Sequence, residues 1–473
     1  MIVIPRTLAR LFRSVLRRSV VEQVPRGEWP LVRCEAGQPG LRLSTQRGDI
    51  GLCYREAGER AADTLVFRSS VLQQVEGRTL EPVTLEQVAA GKGRARWDEG
   101  AVPRVLDFET VTPDSIPTVP QVPFEWVAMP DGFLTVMDEA TRTTAKESAR
   151  FALSRIQLKG RGGQVVATDG KQLLIQGGCH FPWRDDVLVP RVPAFGLREL
   201  VEERPVAIGR TESHVAVRAG RWTFWLAIDT SSRYPDVEAV VPTPSAGACR
   251  LSLDAADAAF LASALPKLAG QDDDHSPVTL DLGRNVLVRA RAQGGDAVTE
   301  VELSRSRVEG SATLCIDRTN LRRALQLRFA EVLVCKPDTP LLFRDKRRVF
   351  VTMPLDKQSA LAPSPDAVRI ASSVSAPSPT QKSSEQPRGR RRPTMPASHA
   401  NNDPPSASRG NGATAEGCPS ITELIAEAEA LRASVQESSA RLTRLIAGLK
   451  QHKRASLAMR AAMQSLRQLK LDG

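Results

Sequence analysis

Near the start of the chain, apolar residues fall at Leu8, Leu11, Phe12, Val15 and Leu16, the spacing of one helical face. Arg6, Arg10, Arg13 and Arg17 follow i, i+4, i+7 and i+11 around the other. The pattern predicts a short strand from Ile2 to Ile4, a helix entered at Pro5 and an amphipathic run to about Val21. A face that only needs to be soluble normally mixes signs, and four arginines with no interleaved acid do not. Further on the period changes to two. From His214 to Ile228, Val215, Val217 and Ala219 share one parity and Gly220 marks a turn, so this stretch reads as a hairpin of strands. A helix is expected from Leu253 to about Leu268, with Asp254, Asp257 and Lys267 as its charges.

A helix-like segment followed by three strand-like segments recurs after Leu65, Val187 and Thr313, at offsets of 122 and 126 residues. The exits match too: Pro113-Asp114 followed by Pro120 is echoed by Pro235-Asp236 followed by Pro242. Such a period is too long for a solenoid unit, and each copy can bury a core of its own. The expectation is an α+β fold with more strand than helix, in three tandem units covering residues 1–121, 122–244 and 245–357. Residues 358–418 turn Pro-, Ser- and Ala-rich around a basic knot at Arg388 to Arg392, the composition of a disordered linker. Pro419-Ser420 with Glu423 then forms a capping box that opens a helix over 419–473. Leu424, Ala428, Leu431, Val435, Ser438, Leu442, Leu445 and Leu449 continue it as a heptad. Self-association, docking on a partner and folding back at Gly448 all fit that seam.

Composition adds a bias rather than a function. Of the net charge of +11, residues 358–418 hold 7 basic and 4 acidic side chains and residues 419–473 hold 9 and 5. Less than half the excess is left to the first 357 residues, a modest preference for a polyanionic partner. The seven cysteines are dispersed, without a C-x-x-C pair or ligand-spaced histidines, which points to reduced thiols in a cytoplasmic protein and to no metal. No run of about 18 apolar residues is present to span a membrane. The Arg-rich start lacks an apolar core and a cleavage site, and reads as mature structure rather than a targeting peptide. Asp272, Asp273 and Asp274 lie in a Gly/Gln/Ser context typical of a solvated loop. With no nucleophile and base pair and no phosphate loop, neither catalytic residues nor cofactors are expected. Asp169-Gly170, between two apolar runs, is a hairpin signal by itself.

Four stretches together resemble the bacterial DNA polymerase III beta subunit, the beta sliding clamp family. They are VATDGKQLLI, DDVLVPRVPAFGLREL, the segment from Val206 through Tyr234-Pro235-Asp236 to Pro242, and VFVTMPL at Val349 to Leu355. IVIPRTLARLFRSVL and the run from Cys34 to Leu52 align more loosely, and the likeness covers about residues 1–357. It implies three tandem clamp-type domains per protomer and a homodimer closed head to tail into a ring. Helices would line the hole, sheets would form the outside, and double-stranded DNA would thread through. Arg6, Arg10, Arg13, Arg17, Arg142, Lys146 and Arg150 are the implied DNA-binding residues. Such a processivity factor is non-catalytic and tethers DNA polymerase, clamp-loader or repair partners through an apolar peptide-binding pocket. By position that pocket comprises Leu153, Thr168, Gly170, Leu173, Pro235, Val240, Val351, Met353, Pro354 and Leu355. The chain departs from the family at Lys171-Gln172, where His-Arg is usual, at Ala239, where a basic residue is common, at Ala152, and in continuing for more than a hundred residues past the M-P strand. A clamp-fold paralogue acting as a non-sliding scaffold through its C-terminal helix is the alternative.

Overall fold

The computed structural model describes residues 1–20, 29–115, 117–146, 152–245, 247–270, 275–291, 295 and 297–372. Strands dominate and every sheet is built from hairpins. The first unit runs β1 (Ile2–Pro5), α1 (Arg6–Ser19), β2 (Leu31–Gly37), β3 (Gly40–Arg47) and β4 (Ile50–Glu56). It continues with β5 (Asp63–Arg68), α2 (Ser70–Val75), β6 (Pro82–Ala89), β7 (Lys92–Glu99) and β8 (Val102–Glu109). The second runs β9 (Val127–Ala128), α3 (Phe133–Thr143), β10 (Arg155–Lys159), β11 (Gln164–Thr168) and β12 (Gln172–Gln176). After them come β13 (Asp186–Pro190), a 3-10 turn (Pro193–Gly196), α4 (Arg198–Val201), β14 (Val206–Arg210), β15 (His214–Ala219) and β16 (Trp222–Ala227). The third opens with β17 (Cys249–Ser252), α5 (Ala255–Ala264), β18 (Pro277–Leu282), β19 (Val286–Arg291) and β20 (Val298–Glu302). It closes with β21 (Arg307–Glu309), β22 (Ala312–Asp317), α6 (Arg318–Gln326), β23 (Glu331–Val334), β24 (Leu341–Arg344), β25 (Arg348–Thr352) and β26 (Val368–Ala371).

Within each unit the two halves exchange their leading strands. β1 pairs with β6 and β5 with β2; β9 pairs with β14 and β13 with β10; β17 pairs with β23 and β22 with β18. Each half therefore depends on its sibling for a complete sheet. The units are joined by the same device used twice. The last strand of a unit's first half pairs antiparallel with the last strand of the next unit's second half: β4 with β16, and β12 with β25. Apolar side chains on the inner faces form one core shared by the first two units, where Phe12 stacks on Trp222 at 5.8 Å and Tyr54 meets the same indole edge-on at 5.0 Å. A second core fills the third unit.

Three sequence expectations are corrected here. The helix expected after Val187 is reduced to the 3-10 turn and the single turn of α4, because Pro193 and Gly196 interrupt it. α3 ends at Thr143, with Thr144 in extended conformation, so Arg142 and Lys146 do not share a helical stripe; Arg150 lies outside the described residues. Ordered structure also continues beyond residue 357. Asp356 caps a short 3-10 turn, Leu361 N–H donates to Thr279 Oγ1 at 2.7 Å, and β26 adds in parallel to β20. The rest of the expected linker, the C-terminal heptad and Asp272 to Asp274 lie outside the described residues.

Candidate functional site

The arginines of α1 separate into two kinds. Arg6 is buried and spends its donors inside the fold, on the carbonyls of Val75 (3.2 Å) and Glu76 (3.1 Å) and on Glu81 Oε2 (3.1 Å). It ties α1 to the end of α2 and does not belong to an exposed cationic face, which corrects its assignment as a DNA contact. Arg13 is half-buried and forks onto Glu76, its Nη2 donating to Oε1 at 2.6 Å and its Nε to Oε2. Arg10 and Arg17 are exposed, and so is Arg18, which the i, i+4 spacing passed over although it adjoins Arg17. The exposed face of α1 thus carries Arg10, Arg17 and Arg18. Lys146, Arg155 and Arg191 line a cavity of about 280 Å³ with Ser19, the last residue of α1, and Asp49. That places Lys146 beside the C-terminal end of α1 although it is not helical itself.

Elsewhere the helices are less basic than their sequences suggest. Arg142 is exposed but pairs with Asp138 at 2.8 Å. Arg318, the first residue of α6, is buried and donates to the carbonyls of Leu268 (2.7 Å) and Ser276 (3.1 Å). Arg323 is drawn toward α3, where it donates to Glu139 O at 2.9 Å; burial lowers its pKa and raises that of the Glu139 carboxyl. α5 exposes Ala255, Ala256, Ala259 and Ser263, with its first acid, Asp257, buried. Arg6→Ala is expected to destabilise the fold by about 3 kcal/mol, since the carbonyls and Glu81 lose a charged partner in a buried position. Urea unfolding would measure this, and a loss below about 1 kcal/mol would return Arg6 to the surface.

The second surface lies over the β12–β25 junction. The turn from Thr168 to Gln172 is self-bracing. Thr168 Oγ1 donates to Gln172 O at 2.7 Å and accepts from Gly170 N–H at 3.1 Å, and Asp169 Oδ1 accepts from the N–H groups of Lys171 and Gln172, both at 2.9 Å. Gly170 sits at φ +89°, where a side chain would be strained, and its open side faces Leu153, whose Cδ1 would lie 3.6 Å from a Cβ there. Leu173 then pairs with Val351 across the junction, and Met353 N–H donates to Lys171 O at 3.2 Å. Leu173 and Val351 are buried, together with Val166, Val237, Leu333 and Leu342, in a small cluster on the outer side of the joined sheet. Tyr234 packs against this cluster and donates to Val166 O at 3.3 Å; burial pushes its phenol pKa up.

Met353 and Val240 stand about half exposed above this floor, the latter on a 3-10 turn held down by Glu238, whose carboxylate takes Lys159 Nζ at 2.5 Å. Leu153, Thr168, Gly170, Leu173, Val351 and Met353 are thus brought together as an apolar floor with a backbone-rich rim. Pro235 follows Tyr234, and Pro354 leads to Leu355, which leaves the groove to bridge with Cys315 of β22. The equivalent β4–β16 junction is filled on that side among the described residues. There Trp225 fills the outer side with Cys53 and Ala216, Val119 and Trp126 pack over it, and the indole Nε1 donates to Gln121 O at 3.2 Å. Val119 and Trp126, around the exit of the first unit, cover its junction, whereas Val240 on the second exit and Met353 stay about half exposed at the other.

Among the described residues no group of three or more His, Cys, Asp or Glu side chains could hold a metal ion, and no helix is long and apolar enough to cross a membrane. No protein-family model matches this sequence, and no curated protein matches it. Solved structures do. The DNA polymerase III subunit beta of Pseudomonas aeruginosa superposes with a TM-score of 0.61 at 18% identity, over 75% of this chain and 99% of that one. The same organism's sliding clamp bound to griselimycin gives 0.62 at 18%, over 75% and 98%. A DNA polymerase III beta chain from Streptococcus pneumoniae gives 0.61 at 14%, over 75% and 99%. The chain has the sliding-clamp fold, as its motifs led one to expect, and spans those proteins almost from end to end.

Proposed function

We propose that this chain is a non-catalytic sliding clamp: a homodimeric ring around duplex DNA that holds polymerase, loader or repair proteins at the β12–β25 groove. The observation that carries the reading is the repeated edge-to-edge junction. β4–β16 and β12–β25 follow one rule, and applying it once more calls for a second copy at each end of the chain. Two copies satisfy each other's ends and close. Phosphate attraction from Arg10, Arg17 and Arg18 suits a protein that must move along DNA, because backbone contacts carry no sequence information. The groove suits a short apolar peptide whose backbone can use the exposed turn at Asp169 to Lys171.

The test is topological. Protein is mixed with linear duplex DNA, the DNA is ligated into a circle, and the complex is washed in high salt. A clamp stays on the circle and leaves when the circle is cut. Release from the intact circle would favour the scaffold reading, which draws its own support from the nearly uncharged exposed face of α5 and the burial of Arg318.

A further inference from the structure

β8 pairs with β7 on one side, and the junction rule leaves its outer edge without a partner among the described residues and assigns β20 as its counterpart. β20 is not free. It pairs antiparallel with β19 and parallel with β26, in the register Thr299↔Val368 to Glu302↔Ala371. β26 is built into the third unit rather than laid on it. A ladder of alternating charge crosses four strands on the outer face. Asp281 meets Arg289 at 2.7 Å, Arg289 meets Glu300 at 2.7 Å, and Glu300 meets Arg369 of β26 at 3.3 Å. Arg289 and Glu300 are buried, so the last member, the exposed Arg369, adds a second partner to a carboxylate that has little access to water. Beyond the strand, Ser372 Oγ donates to Asp257 Oδ1 at 2.6 Å and accepts from Ser304 N–H at 3.0 Å, fixing the end of β26 to the first turn of α5.

We infer that β26, contributed by the chain's extension past the M-P strand, is the edge on which β8 of a second copy of this chain docks. This rests on the head-to-tail reading proposed above. Among the described residues both strands are the last of their sheets, and both carry exposed apolar side chains: Val102 (57% exposed) and Val105 (62%) on β8, Val368 (59%) and Ile370 (41%) on β26. Apolar side chains left exposed on an open strand edge favour pairing, and the two edges lie at opposite ends of one chain, where a second copy can bring them together. Each intermolecular junction then contains one strand more than the β4–β16 and β12–β25 junctions inside the chain.

Sedimentation equilibrium of the full chain tests this with three variants: Val105→Asp, Val368→Asp, and the pair Arg369→Glu with Ser372→Ala, which cuts the ladder and the serine anchor. Each is expected to raise the dimer dissociation constant at least tenfold, with the melting temperature of the exposed-site variants unchanged. Tighter association of the Arg369→Glu/Ser372→Ala protein would mean that β26 blocks β20 instead of joining β8; the inference would be overturned and the head-to-tail reading would stand. Sensitivity to Val105→Asp without sensitivity to Val368→Asp has the same meaning. A dimer indifferent to both, or no dimer, removes the head-to-tail reading and this inference with it.

Discussion

Met353→Ala is expected to weaken binding of a clamp-binding partner peptide by on the order of tenfold while leaving folding and oligomeric state unchanged. The side chain is half exposed in the free protein, so its truncation opens no internal cavity. A peptide seated on it would bury the remainder, and roughly 1.5 kcal/mol of apolar contact is at stake, a factor of about ten in Kd. Leu173→Ala behaves differently. Leu173 is buried in the small cluster with Val351 and Val237, so its loss costs about 2–4 kcal/mol of stability as well as part of the groove floor. The double variant should abolish detectable peptide binding. Titration by fluorescence anisotropy, with urea unfolding alongside, separates the two effects. Unchanged affinity in Met353→Ala would remove the β12–β25 groove as the docking site. The Trp225 junction serves as an internal control, because Val119 and Trp126 pack over the indole there.

The elements that could be read from the chain are those whose pattern is local. The apolar stripe of α1, the β15–β16 hairpin turning at Gly220, and Asp169-Gly170 as a braced turn all depend on residues a few positions apart. What escaped depends on distant partners. Arg6 and Arg10 are equivalent by spacing, and only the carbonyls of Val75 and Glu76, some seventy residues away, decide that one is buried and the other exposed. Arg318 opens α6, yet it is buried because the carbonyls around Leu268, some fifty residues away, take its guanidinium. β26 was hidden by the Pro- and Ser-rich composition around it. Its alternation, Val368, Arg369, Ile370, is a strand pattern too short to outweigh its surroundings, and it gains meaning only beside Glu300. Leu153, Thr168, Leu173, Val351 and Met353 are linked in the sequence by motif likeness alone, and the reason one junction is filled on its outer side while Met353 stays half exposed at the other is Trp225, which no spacing rule singles out.

Charge reversal at Arg10 and Arg17 together should weaken association with duplex DNA at least tenfold at about 50 mM salt and flatten its salt dependence. Each phosphate that the protein ceases to neutralise lowers the slope of log K against log[salt] by about 0.9, so removing two arginines should reduce it by roughly 1.8. The comparison that gives this force lies within the same helix. Arg13→Glu would set its new charge against Glu76, which Arg13 now binds, so its main effect should be on stability with a smaller change in slope. Arg142→Glu should also fall short, because Arg142 already shares its charge with Asp138. A graded order, with Arg10 and Arg17 largest, Arg142 intermediate and Arg13 least, is what an exposed α1 face turned toward DNA requires. Equal slopes in all four proteins would turn that face away from DNA. The net positive charge would then act mainly through residues 358–473, where most of the excess resides.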